Sequence, residues 1–423
     1  SMAGGQLAAP PEVTSVPYPK ETDYVKNGTV NYDAYDKAYD DWQAARQEKL
    51  QTMVDPADVA HWFTSSIPVL LQGAGDENRV CSPLNVYMAL AMLAAVTDGQ
   101  TQGQILDALG EDSLDELQTR AALLWQENSW NDGLVTSLLA NSIWLQDGYE
   151  YNEDTLKKLG EEFFASAFSG EMGSEDYNKQ LQSWLNDNTG GLLTEQAGSV
   201  QLRPETVLAL VSTVYYSAQW TDQFYERNNT QDTFHAPSGD ETATFMHSRN
   251  TGTVYYGEGF TATGLSLENS GYMWLLKPDA GANAAELLQS GEAVDFLLAN
   301  GDWAQSQRAE IDLSIPKFDV SSDLDLLDTL TQLGITDVQT GAADFTPLTT
   351  DTESMLELTQ AKHAARVKID EDGCEAAAYT ILAVDKTAAM PPEEVVEFRL
   401  DEPFVFAITG IDGLPLGGGI VNE

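Results

Sequence analysis

The chain has 423 residues, 42% of them hydrophobic, enough to bury a large core, and 67 acidic against 21 basic residues give a formal charge of −46. So acidic a chain repels nucleic acid and anionic membrane and favours cationic partners. Two cysteines, Cys81 and Cys374, exclude a disulfide framework of the small secreted type, and no apolar run reaches the twenty or so residues that a membrane span needs.

The chain changes character near residue 55. Residues 1–30 are rich in Pro, Gly and Ser/Thr and read as a linker, whereas NYDAYDKAYDDWQAARQEKLQ predicts a polar helix that packs on the body or lies free. The opening Ser-Met reads as a cloning remnant. A linker at such an end predicts an export signal or lipid anchor upstream, and so an extracellular protein, secreted or anchored at the cell surface.

Further on, Cys81 lies in an apolar run and reads as a small buried hydrophobe. Neither cysteine has the basic neighbours of an activated nucleophile. His61, His235, His247 and His363 show no metal-ligand spacing and no CxxC pair exists, so no metal or cofactor is expected. GxSxG and Walker-type loops are absent, and the terminal GLPLGGGI is followed by no helix that would present a phosphate site. The sequence offers no enzyme.

Residues 371–392, EDGCEAAAYTILAVDKTAAMPP, form a small-residue run with alternating polarity. As a strand it places Cys374, Ala376, Ala378, Thr380, Leu382 and Val384 on one face, all small or apolar, with Glu375, Tyr379 and Asp385 on the other. A core-facing strand held between anchored segments reads as a strand in reserve; the plain alternative is a surface hairpin with Ala-rich filler.

Glu371, Gly373 and the Glu375-Ala376-Ala377-Ala378 run resemble the hinge of the reactive-centre loop in serpins. The likeness extends in order from about residue 55 to the end. Asn78, then Ser82-Pro83-Leu84-Asn85 before MALAML, resembles the family's buried helix B, and VTDGQTQGQILDALG with Thr101 the helix after it. LANSIWLQ and LVSTVYYSAQW, ending at Trp220, resemble the long central strands, and IDLSIPKFDV, LGI and LTQAKHAARVKIDEDG complete the series.

This resemblance implies an α+β serpin fold with a large central mixed β-sheet, two smaller sheets, surrounding helices and an exposed reactive-centre loop at about 371–397. It implies one domain over 55–423, preceded by the extension 1–54, and a monomeric, secreted member of bacterial type. Ser82, Pro83, Asn85, Ser212 and His363 match the polar shutter beneath the sheet, with Ser212 in place of the usual Asn and a shorter reach to His363. Trp220 and Lys317 match the breach where the hinge enters, Lys317 being set to pair with Glu371. Cys374 stands where Thr or Ser is usual, which leaves a thiol exposed until insertion.

The function so implied is suicide inhibition of a serine protease. Loop length from Glu371 puts the cut between Thr387 and Ala388, which suits elastase-like or subtilisin-like proteases; Lys386-Thr387 is the alternative and suits a trypsin-like one. Insertion would add about ten ladder hydrogen bonds at ~1 kcal/mol each and bury Leu382 and Val384, on the order of 10 to 15 kcal/mol together. Two other functions stay open: a non-inhibitory carrier or binding protein, motivated by Cys374 and the bulky Tyr379, and a cross-class inhibitor of cysteine proteases.

Overall fold

The computed structural model describes residues 5–191, 194, 198, 200–351, 356–374 and 394–423. The extension contributes β1 (Gln6–Ala8), the short hairpin of β2 (Val25–Lys26) and β3 (Thr29–Val30), and α1 (Tyr32–Lys49), capped by the Asn31 side chain on Ala34 N. There follow α2 (Pro56–Leu70), β4 (Arg79–Cys81), α3 (Pro83–Ala95), α4 (Gly99–Leu109) and α5 (Leu114–Asn128). Local chemistry sets their starts. Ser82 caps α3 with Pro83 in its first turn, and Ser113 accepts from Glu116 N to open α5.

Next come β5 (Trp130–Asn131), β6 (Thr136–Gln146), α6 (Glu153–Phe163), β7 (Ala165–Gly170), α7 (Glu175–Asp187) and β8 (Leu208–Gln219). The middle of the chain is mostly strand: β9 (Thr230–Ala236), β10 (Gly239–Gly257), β11 (Phe260–Ser266) and β12 (Tyr272–Pro278), then α8 (Ala284–Leu287) and α9 (Gly291–Ala299). The last third holds β13 (Ser306–Pro316), β14 (Asp319–Asp325), α10 (Leu327–Gln332), β15 (Leu358–Lys368), β16 (Gly373–Cys374), β17 (Val395–Arg399), β18 (Phe404–Thr409) and β19 (Pro415–Val421).

The described strands make a central mixed sheet of order β1-β7-β6-β8-β15-β14, to which β5 and β16 attach at β6 and β8. Both faces of the inner strands β6 and β8 are covered, whereas the edge strand β14 exposes Asp319, Asp323 and Asp325. Leu139, Ile143, Leu208 and Leu210 point into the core around α3, which is buried from Pro83 to Ala94; Ala140, Trp144, Ala209 and Val211 meet Tyr177, Leu181 and Trp184 of α7 on the other face. The two smaller sheets expected from the sequence are here continuous: the 19-residue β10 pairs with β9, β11 and β13, and a nine-stranded sheet results.

The extension packs against the body rather than lying free. β1 pairs antiparallel with β7 at the outer edge of the central sheet. α1 docks through its one buried residue, Trp42, whose Nε1 donates to Asp132 Oδ2 at 2.9 Å, and Tyr18 packs edge-on to Trp42 with ring centroids 4.9 Å apart.

Candidate hinge and shutter site

The top of the central sheet is built around a tight turn between β15 and β16. Asp370 Oδ1 accepts from Asp372 N and Gly373 N at 2.9 and 3.1 Å, and Asp370 N donates to Gly373 O at 2.9 Å. The chain thus folds back at once and pairs antiparallel with β8, Gly373 opposite Gln219 and Cys374 opposite Ala218. Glycine is required at 373 because a Cβ there would lie 2.3 Å from Ala218 O.

Trp220 and Glu371 lock this turn to the sheet. Trp220 N donates to Asp372 O and its Nε1 to Asp370 O, each at 2.9 Å. Glu371 O accepts from Phe224 N, and its Oε1 accepts from Lys317 Nζ at 3.0 Å and Asn229 Nδ2 at 2.7 Å. Burial alone would raise the Glu371 pKa. The hydrogen bonds from Lys317, its own backbone and Asn229, with the Lys317 charge, outweigh burial and hold it below the usual range. Neighbouring Asp372 moves the opposite way, raised by burial and then by Asp370 and Glu371.

Cys374 corrects one expectation. Its thiol is buried, at 2% exposure, because the hinge strand already lies on β8; it faces a small apolar cavity lined by Val214, Tyr216, Val367, Ile408 and Leu416.

Below the hinge, β15 and β8 run parallel, and their ladder extends among the described residues from Leu358 opposite Leu208 to Ala364 opposite Thr213. The shutter sits at the upper end of this seam. His363 Nε2 accepts from Ser82 N at 2.9 Å, so the ring proton resides on Nδ1 and is donated to Ser212 Oγ, also at 2.9 Å. Complete burial lowers the His363 pKa to about 4, which keeps the ring neutral. The replacement of the usual Asn by Ser212 therefore does not break the contact, since β15 and β8 are direct neighbours and the short side chain spans the gap.

Asn85 completes the cluster from below. Its N donates to the capping Ser82 Oγ at 3.1 Å, its Nδ2 donates to Thr213 O at 2.6 Å, and its Oδ1 accepts from Asn141 Nδ2 at 3.1 Å. Pro83 contributes its carbonyl to Trp62 Nε1 at 2.9 Å, which ties α2 to α3. Lower on the seam, Gln360 Oε1 accepts from Arg203 N and Thr206 Oγ1 while its Nε2 donates to Gln201 O.

The structure thus gathers the expected residues into two groups. Trp220, Lys317, Glu371, Gly373 and Cys374 meet at the top, and Ser82, Pro83, Asn85, Ser212 and His363 meet some six residues lower on β8, about 20 Å away at ~3.3 Å per residue. The remaining hinge residues Glu375, Ala376, Ala377 and Ala378, and the bonds Thr387-Ala388 and Lys386-Thr387, lie outside the described residues. Sequence reasoning missed Asn141, Asn229, Gln360 and Asp370. Asn141 stands directly opposite Ser212, a relation that only the strand register reveals.

Among the described residues no helix is long and apolar enough to cross a membrane, and no cluster of three or more His, Cys, Asp or Glu could hold a metal ion.

Comparison with known proteins agrees with this geometry. Human neuroserpin is 28% identical over 350 residues, covering 79% of this chain and 82% of the relative. The crystal structure of Tengpin, a thermophilic serpin in the native state, superposes with a TM-score of 0.76 at 23% identity, covering 88% of this chain and 95% of that one. Thyroxine-binding globulin in complex with thyroxine superposes with a TM-score of 0.73 at 22% identity, covering 86% and 98%. The family model described as serpin (serine protease inhibitor) matches residues 67–416, and the chain belongs to the serpin family.

Proposed function

We propose that this chain inhibits serine proteases as a suicide substrate. The protease cuts near Thr387-Ala388, and the freed hinge inserts between β8 and β15 before the acyl-enzyme can hydrolyse. In this reading residues 55–423 are the serpin domain and residues 1–54 an extension packed on it.

The observation that carries the reading is the antiparallel pairing of Gly373 and Cys374 on β8, directly above the parallel β8–β15 seam. Each further residue of an antiparallel partner moves one position along β8. On that register an inserted strand would set Thr380 opposite Ser212 and Val384 opposite Leu208, where β8 begins. The inward face ending at Val384 matches the length of β8, and an acyl group on Thr387 would be carried just past its end. Elastase-like and subtilisin-like enzymes suit the small, uncharged residues at this bond, and the meeting is proposed to be extracellular, where such enzymes act.

A second reading, a non-inhibitory carrier, rests on the buried Cys374 in place of the usual Thr or Ser and on the fold shared with thyroxine-binding globulin. Titrating subtilisin and pancreatic elastase with the chain separates the two. Inhibition predicts stoichiometric, irreversible loss of protease activity; full activity alongside a cut chain favours the carrier.

A further inference from the structure

Between the extension and the body lies a half-open cavity of about 270 Å³, whose lining includes Trp42, Arg46, Glu48 and Lys49 of α1 and, on the body, Trp130 and Asp132. We propose that it binds a small aromatic carboxylate, the carboxylate held between Arg46 and Lys49 and the ring against Val16, Ala45 and the indole surfaces.

In a chain with 67 acidic and 21 basic residues, a cation should find a carboxylate partner, yet among the described residues neither Arg46 nor Lys49 forms an ion pair, although Glu48 and Asp132 line the same cavity. Lys49 Nζ donates to Ser129 O and stands 4.2 Å from the centre of the Trp130 ring. Among the described residues Arg46 forms no ion pair. Asp132 is committed: its Oδ1 accepts from Leu134 N and Val135 N at 2.9 and 2.8 Å, and its Oδ2 from Trp42 Nε1 at 2.9 Å. Glu48 also lines the cavity but, among the described residues, pairs with neither cation, so two cationic groups face one uncommitted carboxylate, which favours a monoanion between Arg46 and Lys49.

Size narrows the class. A pocket of this volume is at the small end of ligand sites and holds about one ring system with its carboxylate. Polyanions are disfavoured by the half-enclosed shape and by the charge of −46. Desolvation lowers the Lys49 pKa to about 8, with Asp132 opposing it, and a bound carboxylate would raise it again. The charged groups facing Lys49 are Arg46 and Glu48 on its own helix and Asp132 on the body; residues 14–16 and Gln126 carry none.

The test is calorimetry on the full chain with benzoate and indole-3-acetate, each against its neutral amide. The expected result is one-to-one binding of at least one acid, at least tenfold weaker binding of the matching amide, and a tenfold or greater loss in both Arg46→Gln and Lys49→Gln. At pH 8, buffers of different ionisation heat should reveal uptake of part of a proton that Lys49→Gln abolishes. Failure of both acids to bind at millimolar concentration, equal binding of the amides, or undiminished affinity in both variants would overturn the assignment.

Discussion

His363 of β15 and Ser212 of β8 are joined across the seam by a hydrogen bond of 2.9 Å, one step below the last pair of the parallel ladder, Ala364 opposite Thr213. Insertion of a strand between β8 and β15 must part the contact of Thr213 Oγ1 with Ala364 O, 3.3 Å long, and then this bond. Its energy is modest, but its burial makes each orphaned partner costly. Ser212→Ala leaves His363 Nδ1–H without an acceptor and should lower native stability by about 1–3 kcal/mol in chemical denaturation. Ser212→Asn supplies a carbonyl acceptor and should recover most of the loss; no loss in Ser212→Ala would show that the seam is held elsewhere.

The same histidine sets an acid limit. Its pKa falls from 6.5 to about 4 on burial, so below pH 6.5 the unfolded chain binds a proton that the folded one refuses. Stability should be complete above about pH 6.5 and decline as pH falls toward 4, by a contribution on the order of 3 kcal/mol. Denaturation midpoints for wild type and His363→Gln between pH 4 and 7 check this, the variant showing a flatter acid slope.

Glu127 works in the opposite direction. It is buried at the end of α5, where desolvation first and then the neighbouring Asp412 carboxylate raise its pKa to about 9, while its Oε1 accepts from Val54 N at 2.9 Å. Here the folded state holds the proton more tightly. This contribution is full below about pH 4.5 and is lost as pH rises toward 9. Glu127→Gln keeps an acceptor for Val54 and places no titrating group beside Asp412, so its stability should fall less than that of wild type between pH 6 and 9.

Gly373 tests the hinge. Any side chain there collides with Ala218 O, so Gly373→Val should lift β16 from β8, expose the Cys374 thiol to a thiol reagent and increase the fraction of chain cut without trapping protease. If the proposed insertion holds, Ala378→Pro or Ala376→Arg should likewise yield a chain that is cut without trapping protease, since a proline cannot donate to the ladder and an arginine cannot enter the inward face. Full inhibition in all three variants would contradict insertion along β8.

Much of the fold was legible in the sequence because its landmarks are local. Ser82-Pro83 opens a helix by capping chemistry, whichever partners it meets. The paired geometry of Asn141 and Gln360 was not legible, since a polar residue in a buried strand gains meaning only once the register sets its neighbour. Trp42 shows the same limit: it is the one buried residue of a polar helix, and its partner Asp132 lies 90 positions away. The burial of Cys374 was missed because parity gives a face and not whether the strand is already docked.

The most direct test is incubation of the chain with a slight deficit of subtilisin or pancreatic elastase, followed by denaturing electrophoresis and intact mass. The account predicts an adduct that survives denaturant and a released peptide beginning at Ala388. Complete cleavage at that bond with no adduct, and a cut chain that melts at the same temperature as the intact one, would contradict it.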